Sequence, residues 1–422
     1  MSNDNLRGQV ARHKHVLIIV QNLPVPFDRR VWLECQALHE AGYDVSVVCP
    51  KGPSDPDFEV LDGVKLYKYR PYAGKRSGSF RGYVAEYAYS FAATAQLVTR
   101  AFRAQRFDAL QACNPPDIFW PLGLLWRWLG RCPYVFDHHD LNPELYESRF
   151  GNRHGLPYLG LRALEWCTFR TASHVISTNE SYRQVAVTRG GKALETTTVV
   201  RTGPDPTVMR TREPDPERRH GRTYLAAYLG VMGPQDGVDI VVRAAAKIVN
   251  EWGRRDVGFT LMGSGDCLDE LVALRDELGL GPEVEFLGRV PDDVVAAVLS
   301  SADVGLSPDP KNPLNDVSTM NKTMEYMAFC LPTVAFDLRE TRVSAGDSAV
   351  YAVPNDVESF ASELLSLLED APRRRRMGAL ARTRIEQELA WDYQKDAYVS
   401  VYEGLLGPRR SKHAVTAISL GS

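Results

Sequence analysis

The stretch that decides the fold runs from residue 321 to residue 335 and reads Asn321-Lys322-Thr323-Met324-Glu325-Tyr326-Met327-Ala328-Phe329-Cys330-Leu331-Pro332-Thr333-Val334-Ala335. Its apolar spacing predicts a short amphipathic helix, a tight turn and then a buried strand. The apolar segment 302–307, which precedes it, predicts another strand. A strand, a helix and a strand in this order are typical of a parallel sheet covered by helices.

Lys322 and Glu325 lie three positions apart, so the helix places both on one face. A helix that follows a parallel strand points its N-terminal N–H groups into the crevice where such sheets bind ligands. Lys322 would hold a phosphate there, and Glu325 would accept hydrogen bonds from two ribose hydroxyls, which suits a nucleoside diphosphate. A surface pair of opposite charges explains the spacing equally well.

The totals predict two domains and no nucleic-acid partner. At 422 residues the chain exceeds the size at which a single core stops growing, and its net charge is only −3. Seven scattered cysteines without a Cys-x-x-Cys motif predict reduced thiols in a cytoplasmic protein. Residues 1–15 are polar, which argues against a signal peptide, and no apolar run has the length of a membrane span.

Strand and helix patterns alternate along the chain. Strands are predicted at 15–20, 44–49, 64–69, 109–112, 134–137 and 174–178, and helices at 30–39, 83–103, 119–129 and 159–170. A stretch rich in Pro, Gly and charge within 201–221 predicts a linker. Further strands are predicted at 224–230, 259–262, 284–287, 304–306, 333–336 and 350–353. The pattern indicates an α/β chain with two doubly wound, Rossmann-like parallel-sheet domains facing a central cleft.

We place the first domain at 14–203, the linker at 204–222 and the second domain at 223–385. A C-terminal helix at 386–407 is expected to pack back across the joint between the domains. Residues 408–422 have the composition of a disordered tail.

Six sequence motifs occur in a fixed order along the chain. They are Gln21-Asn22-Leu23-Pro24-Val25-Pro26-Phe27-Asp28-Arg29-Arg30, Asp137-His138-His139-Asp140-Leu141-Asn142-Pro143-Glu144, Gly203-Pro204-Asp205, Gly263-Ser264-Gly265-Asp266, Phe286-Leu287-Gly288 and the block 318–335. Together they resemble family 4 glycosyltransferases of a bacterial subgroup, which have the GT-B fold. The resemblance implies transfer of a sugar from a nucleotide-diphosphate sugar to an acceptor, a glycolipid, polysaccharide or glycoside precursor, with retention at the anomeric carbon.

The resemblance also implies roles for individual residues. His139, with His138 as the competing candidate, and Glu325 are the expected catalytic residues. The donor-binding set is Lys322, Asn321, Ser318, Gly233, Arg201 and Gly263, and the set in contact with acceptor or phosphate is Asp28, Arg29, Arg30 and Asn142. Neither a metal nor another cofactor is expected, because helix N-termini and basic side chains would stabilise the leaving diphosphate.

Two helix starts carry local expectations. Asp28 is a good N-cap, and Ser318 and Thr319 are plausible N-caps of the Lys322 helix. Arg29 and Arg30 would lie in a first turn, where the helix dipole disfavours each cation by roughly 0.3–1 kcal/mol. We therefore expect one of them to contact donor phosphate or an anionic acceptor. Pairing with Glu34, or solvation, is the alternative.

Two departures from the family pattern weaken the assignment. Val317 stands where the family usually has its first glutamate, and Asp236 stands where a phosphate-clamping lysine is usual. A nucleotide-sugar epimerase or hydrolase on the same fold therefore stays open, with Asp137, Asp140 and Glu144 as its carboxylates. A non-catalytic sugar-nucleotide-binding subunit stays open as well.

Residues 81–103 and 120–129 mix aromatic, aliphatic and arginine side chains. One interpretation is peripheral contact with the inner face of a membrane, which would recruit a lipid-linked acceptor. The other is a pair of core helices whose outer faces carry arginines.

Overall fold

The computed structural model describes residues 12–73, 80–151 and 155–407, which form two domains, each built on one sheet. The strands of the first sheet are β1 (His15–Ile19), β2 (Asp44–Pro50), β3 (Phe58–Leu61), β4 (Val64–Tyr69), β5 (Ala109–Cys113), β6 (Tyr134–His138), β7 (His174–Ser177) and β8 (Thr197–Val199). Their order is β3-β4-β2-β1-β5-β6-β7-β8, and only the β3–β4 pair is antiparallel. The helices of this domain are α1 (Arg29–Glu40), α2 (Phe80–Ala104), α3 (Trp120–Gly130), α4 (Asn142–Phe150), α5 (Leu156–Thr171) and α6 (Glu180–Thr188).

Strand β1 shows why a continuous apolar run forms the centre of this sheet. It pairs with β2 on one side and β5 on the other, and all five of its residues are buried. Val16 and Ile18 pack into the core on one face of the sheet, and Leu17 and Ile19 into the core on the other. A strand with helices on both faces needs apolar residues at every position.

The second domain repeats this architecture. Its strands are β9 (Tyr224–Leu229), β10 (Val257–Met262), β11 (Val284–Gly288), β12 (Val304–Ser307), β13 (Thr333–Phe336) and β14 (Ala349–Ala352), in the order β11-β10-β9-β12-β13-β14. All its pairings are parallel. The helices that follow are α7 (Val238–Ala246), α8 (Leu268–Glu277), α9 (Asp292–Ser301), α10 (Asn321–Ala328), α11 (Arg339–Ala345), α12 (Val357–Glu369), α13 (Ala371–Arg384) and α14 (Trp391–Leu406).

Helix α14 returns to the first domain. Trp391, Tyr398 and Tyr402 lie in the same apolar core as residues of α1 and β1. The return is tight at Gly203, where a Cβ atom would lie 1.9 Å from the carbonyl oxygen of Leu389. Gly203 is therefore required by the close approach of two backbone segments.

The prediction of two doubly wound domains is confirmed, and the strands at 64–69 and 333–336 match to the residue. Helices α4, α6 and α11 and strands β3 and β8 were missed. Asn142–Phe150, for example, has an Asn-Pro-Glu start and no continuous apolar stripe. Asp28 is confirmed as the N-cap of α1, because its carboxylate accepts the N–H of Val31. The predicted tail 408–422 lies outside the described residues.

Two further expectations can be compared with the structure. All seven cysteines are free, although only four of them are buried. Within the described ranges, no helix has both the length and the apolar character needed to cross a membrane.

Candidate active site

The first domain contributes Asp137 and His139 from the carboxyl end of β6. The Nε2 atom of His139 lies 2.6 Å from Oδ2 of Asp137. Asp137 is fully buried, whereas the side chain of His139 keeps 16% of its surface exposed. His139 is therefore the member of this pair that is open to a molecule in the cleft.

His138, the competing candidate, belongs to the core. Its ring packs against those of Phe136, Phe169 and Tyr182. Burial lowers the pKa of His138 to about 3, so the ring is neutral at physiological pH. The geometry thus favours His139 over His138 as the residue facing the cleft.

Arg30 lies beneath this pair and orients it. Its guanidinium donates to Oδ1 of Asp137 (2.8 Å) and to the carbonyl of Val200 (2.8 Å), and its Nε lies 2.8 Å from Nε2 of His139. Its Nε also lies 3.1 Å from Oε1 of Glu34, and only 7% of its side chain is exposed. The guanidinium is buried and its donors bind protein groups, which argues against the expected contact of Arg30 with phosphate or acceptor; that contact stays a prediction.

The ion pair between Arg30 and Asp137 determines which carboxylate of this buried cluster (Arg30, Glu34, Asp137 and His139) is ionised. Burial works against the ionised form of Asp137, but the charges of Arg30 and His139 hold its pKa well below the usual range. Burial, followed by the charge of Asp137, raises the pKa of Glu34 well above its usual range. Asp137 is thus the ionised carboxylate of the cluster, and Glu34 binds a proton more readily.

A hydrogen-bonded chain links this cluster to α14. The amide nitrogen of Gln111 donates to Oε2 of Glu34 (2.8 Å) and to Oδ2 of Asp137 (3.3 Å). The amide oxygen of Gln111 accepts the hydroxyl of Tyr398 (2.8 Å) and that of Tyr402. The returning helix therefore supports the side chains under His139.

Cys113, Asp137 and His139 also place three potential metal ligands within 4.8 Å of one another. However, Nε of Arg30 lies 2.8 Å from Nε2 of His139 and 3.4 Å from Oδ2 of Asp137. Burial raises the pKa of the Cys113 thiol well above its usual range. A guanidinium on the same atoms and a thiol that resists ionisation do not fit a metal ion.

The loop around His139 is fixed by two asparagines. Oδ1 of Asn114 accepts the backbone N–H groups of His139 (2.6 Å) and Asp140 (3.0 Å). Asn142 is buried at the start of α4, where its amide donates to Asp117. The expected contact of Asn142 with an acceptor is therefore wrong, since its amide is used inside the domain.

The second domain contributes two glycine turns. A Cβ atom on Gly263 would lie 1.7 Å from the carbonyl oxygen of Gly230, and the φ angle of Gly263 is +139°. A Cβ on Gly230 would lie 3.1 Å from Cε of Lys322. The N–H of Gly233, a little further on, donates to Oδ2 of Asp236 (3.0 Å). Only glycine allows these backbones and Lys322 to approach so closely.

Lys322 is buried beside these turns. Its Nζ donates to Oδ1 of Asp309 (2.6 Å), lies 3.9 Å from Oδ1 of Asp236 and stands 5.2 Å from the ring centroid of Tyr228. Burial opposes its charge, but the charge of Asp309 outweighs this and raises the pKa of Lys322 well above its usual range. The alternative of a Lys322–Glu325 surface pair is wrong, because Lys322 is buried and pairs with the aspartates.

The start of α10 differs from the prediction. Met320 is the N-cap, and no side chain caps the helix, so the expected capping by Ser318 and Thr319 is wrong. The hydroxyl of Ser318 is hydrogen-bonded to that of Tyr182 (2.9 Å). Oγ1 of Thr319 accepts from the amide of Asn179 (3.0 Å). Both hydroxyls are thus used in contacts with the first domain. Asn321, the first residue of α10, is exposed.

Arg201 also joins the two domains. Its Nη2 lies 3.3 Å from Oε2 of Glu340, and its Nη1 lies 3.5 Å from Oγ1 of Thr319. The hydroxyl of Ser181 donates to Oε1 of the same Glu340 (2.6 Å). These contacts join the two domains on one side of the cleft. A role of Arg201 in donor binding stays a prediction.

Arg29 reaches across the cleft to the second domain. Its Nη1 lies 3.4 Å from Oε1 of Glu325, its Nη2 lies 2.5 Å from Oδ1 of Asp292, and its side chain is 51% exposed. Burial raises the pKa of Glu325. A cavity of about 620 Å³ opens beside this contact, where the guanidinium of Arg289 lies 4.0 Å from the ring centroid of Phe27. Of the two arginines, Arg29 is the one that faces the cleft.

The structure thus brings Arg29 of the first domain to Glu325 and Asp292 of the second. Lys322 is buried beside the glycine turns, and His139 is partly exposed after β6. Sequence analysis missed the polar partners that hold these groups, namely Asp309, Glu340, Asp292, Gln111 and Asn179. One signal was available, since Asp309 lies two residues after the strand that ends at Ser307. The other partners are distant in sequence and come together only in the folded chain.

Comparisons with known proteins agree with this architecture. Residues 28–202 match the family model described as "Glycosyl transferase 4-like domain", and residues 223–370 match that of "Glycosyl transferases group 1". An uncharacterized glycosyltransferase of Methanocaldococcus jannaschii is 22% identical over 385 residues, which cover 88% of this chain and 93% of that protein.

Two solved structures show the same fold. Sucrose-phosphate synthase of Thermosynechococcus elongatus has a TM-score of 0.76 at 17% identity and covers 93% of this chain and 99% of its own. HepE of Anabaena, solved in complex with UDP and glucose, has a TM-score of 0.68 at 17% identity and covers 93% of this chain and 100% of its own.

The two facing Rossmann-like domains and the two family models, matched in order, define the class of this protein. The chain is a glycosyltransferase with the GT-B fold, and its sequence is similar to those of family 4.

Proposed function

We propose that the chain transfers a hexosyl group from a nucleoside diphosphate sugar to a carbohydrate or lipid-linked acceptor, with retention at the anomeric carbon. One observation carries this proposal: Arg29 of the first domain meets Glu325 on the second-domain helix that also carries Lys322, and His139 of the first domain is partly exposed. The donor would occupy the second domain, and the acceptor would enter from the first.

Lys322 supplies the positive charge for the diphosphate in this proposal. Lys322 is the lysine near position 236, since its Nζ lies 3.9 Å from Asp236, but it also binds Asp309 at 2.6 Å, so a diphosphate would compete with Asp309 for this charge. The backbone at Gly233 and Gly263 and the start of α10 at Asn321 would line the same subsite. Positive charge and backbone N–H groups stabilise a leaving diphosphate without a metal.

Glu325 binds the ribose hydroxyls in this proposal. The carboxylate is held at 3.4 Å by Arg29. When a ribose binds, Arg29 loses its contact with Glu325 and keeps its contact with Asp292. The Arg29–Glu325 ion pair therefore takes the place that the ribose hydroxyls would fill. An exposed pair of this kind contributes only about 0–1 kcal/mol, which a ribose can displace.

His139 contacts the transferred sugar in this proposal. Arg30 and Asp137 both engage Nε2, so Nδ1 is the ring nitrogen left for the sugar. That UDP and glucose occupy HepE supports a nucleotide sugar as the donor class. Arg201 and Ser318 act by closing the cleft over it.

The other two functions are less well supported. An epimerase or hydrolase would need a pair of free acid and base carboxylates. Asp137 is held by Arg30 and Glu144 by Arg189, which leaves Asp140, whose pKa burial raises to about 6, as a single candidate. A non-catalytic subunit was suggested by Val317 and Asp236, and Lys322 lies 3.9 Å from Asp236. Transfer is therefore the function that this cleft supports best.

The test is a panel of nucleoside diphosphate hexoses in thermal-shift assays, followed by an acceptor screen with the donor that binds. We expect nucleotide release only when an acceptor is present, and proton NMR of the product should show the donor's anomeric configuration. Equal nucleotide release without acceptor would favour the hydrolase. Donor binding without turnover for any acceptor would favour the non-catalytic subunit.

A further inference from the structure

Helices α3 and α5 present an apolar surface on the outside of the first domain. The side chains of Trp128 and Leu156 are 80% and 85% exposed. We call the surface the α3–α5 face, and its exposed apolar residues are Leu124, Leu125, Trp128, Leu129, Leu156, Leu159 and Trp166. On α3 they form two adjacent pairs four positions apart, and on α5 they lie three and seven positions apart, which keeps them on one side of each helix; the two helices are in contact. A contiguous exposed apolar surface of this kind marks an interaction site.

The exposed charged residues on these two helices are all positively charged. Arg127, Arg131 and Arg170 are exposed on or just after them. Glu165 is the only acidic residue within α3 and α5, and it is buried and paired with Arg189. The apolar face is therefore bordered by positive charge without neighbouring carboxylates on the same helices.

A basic cavity lies at the C-terminal end of α3. It has a volume of about 530 Å³, and its charged lining residues are Arg12, Lys14, Arg106, Asp108 and Arg131. Asp108 pairs with Arg12 at 3.0 Å and with Lys14 at 4.0 Å, which leaves the lining with a positive excess. The cavity adjoins the end of the helix that carries Trp128 and Leu129, so an anionic group and an apolar chain would be held side by side.

We propose that the α3–α5 face docks on the surface of a bilayer that contains anionic phospholipids. Trp and Leu side chains enter the boundary between headgroups and acyl chains, while the arginines and the basic cavity contact headgroup phosphates. Charge complementarity favours this occupant, because the exposed charged residues of α3 and α5 are arginines beside the apolar face, as anionic headgroups beside acyl chains require. The inference stands apart from the proposed function, because no residue of the face belongs to the donor site.

The position of the face suits an acceptor held at a membrane. Helix α4 follows β6 at the cleft and contacts the turn Pro234–Asp236 of the second domain. Helix α5 packs on α4 and begins at Leu156, so the face extends towards the edge of the cleft. The sequence expectation paired 81–103 with 120–129, and membrane contact of the first range stays a prediction. The structure adds α5, which lies beside α3 and exposes Leu156, Leu159 and Trp166.

Vesicle flotation of the full chain tests this proposal. We expect binding to vesicles of phosphatidylcholine mixed with phosphatidylglycerol, weak binding to phosphatidylcholine alone, and loss of binding at high salt. Trp128→Ser combined with Trp166→Ser should lower the partition coefficient about tenfold or more, because two large interfacial side chains are removed. Arg131→Glu combined with Arg170→Glu should abolish the preference for anionic vesicles.

Matched controls come from the second domain. Val353→Ser removes an exposed apolar residue, and Arg375→Glu with Arg376→Glu reverses exposed charges on α13. These variants should bind vesicles as the wild type does, and all variants should keep its thermal unfolding temperature. Unchanged flotation of the tryptophan variant, or loss of binding only in the α13 variant, would overturn the proposal. So would self-association without lipid that Trp128→Ser abolishes, because the face would then bind a second copy of the chain.

Discussion

Replacing Arg30 by methionine tests the buried cluster that orients His139. The substitution keeps much of the side-chain volume but removes hydrogen bonds of 2.8 Å to Asp137 and Val200 and a contact of 2.8 Å with His139. It also leaves the ionised carboxylate of Asp137 buried without its cation. Breaking one partner of a buried ion pair costs about 3–5 kcal/mol, so we expect the free energy of unfolding at pH 7 to fall by that amount. Urea unfolding followed by tryptophan fluorescence measures it.

The pH dependence of the free energy of unfolding tests this ion pair more specifically than the loss of stability at pH 7. In the wild type the pKa of Asp137 is held well below its usual range, so above its unfolded value of about 3.9 the carboxylate is ionised in both states and adds no slope. In the variant the charge of Arg30 is lost and only that of His139 still opposes the effect of burial, so the folded pKa of Asp137 rises and the folded protein binds a proton that the unfolded chain releases. The stability of the variant should rise as the pH falls, by up to about 1.4 kcal/mol per unit.

The difference in the free energy of unfolding between wild type and variant should therefore become smaller from pH 7 towards pH 5. Adding Asp137→Asn to Arg30→Met removes the buried charge, so it should restore part of the lost stability at pH 7 and flatten the extra slope. Wild-type stability in Arg30→Met, or a difference that grows on acidification, would refute the assignment of Arg30 as the structural cation of this site.

Three further changes test the cleft. Glu325→Gln should weaken donor binding about tenfold or more with unchanged stability, because hydrogen bonds to a charged group contribute about 1.5–3 kcal/mol. Isothermal titration calorimetry measures the donor affinity. The control variant Glu358→Gln, at the surface, should bind the donor as tightly as the wild type does. Arg29→Ala should bind the donor up to about fivefold more tightly, because the competing ion pair of about 0–1 kcal/mol is lost, whereas weaker binding would mean that Arg29 contacts the donor itself. Gly263→Ala should lower the free energy of unfolding by about 1–3 kcal/mol and weaken donor binding, because its Cβ would clash with the carbonyl of Gly230, and equal urea midpoints would contradict that clash.

Much of the fold could be predicted because its signals are local. The apolar runs of β1 and β13 specify buried strands by themselves, and Asp28 caps α1 through an atom only three residues away. Helix α4 could not be predicted in this way, since its short sequence has few apolar positions and its stability comes from packing against α5.

The candidate site was harder because its partners are remote. Arg30 was weighed against Glu34, four residues on, but its strongest partner is Asp137, 107 residues away. Ser318 has the chemistry of an N-cap, yet its hydroxyl is hydrogen-bonded to Tyr182, a contact between domains that a local rule does not include. Local chemistry therefore identified Lys322 and Glu325 as candidates, while their partners Asp309 and Arg29 depended on the tertiary structure.

The most direct test of the central claim is a crystal structure with the nucleoside diphosphate sugar that gives the largest thermal shift. We expect density for the diphosphate between the Gly230 turn and Lys322, and for the ribose at Glu325, with Arg29 no longer in contact with that carboxylate. Donor density elsewhere on the chain, or an Arg29–Glu325 pair that stays intact at saturating donor, would contradict the account.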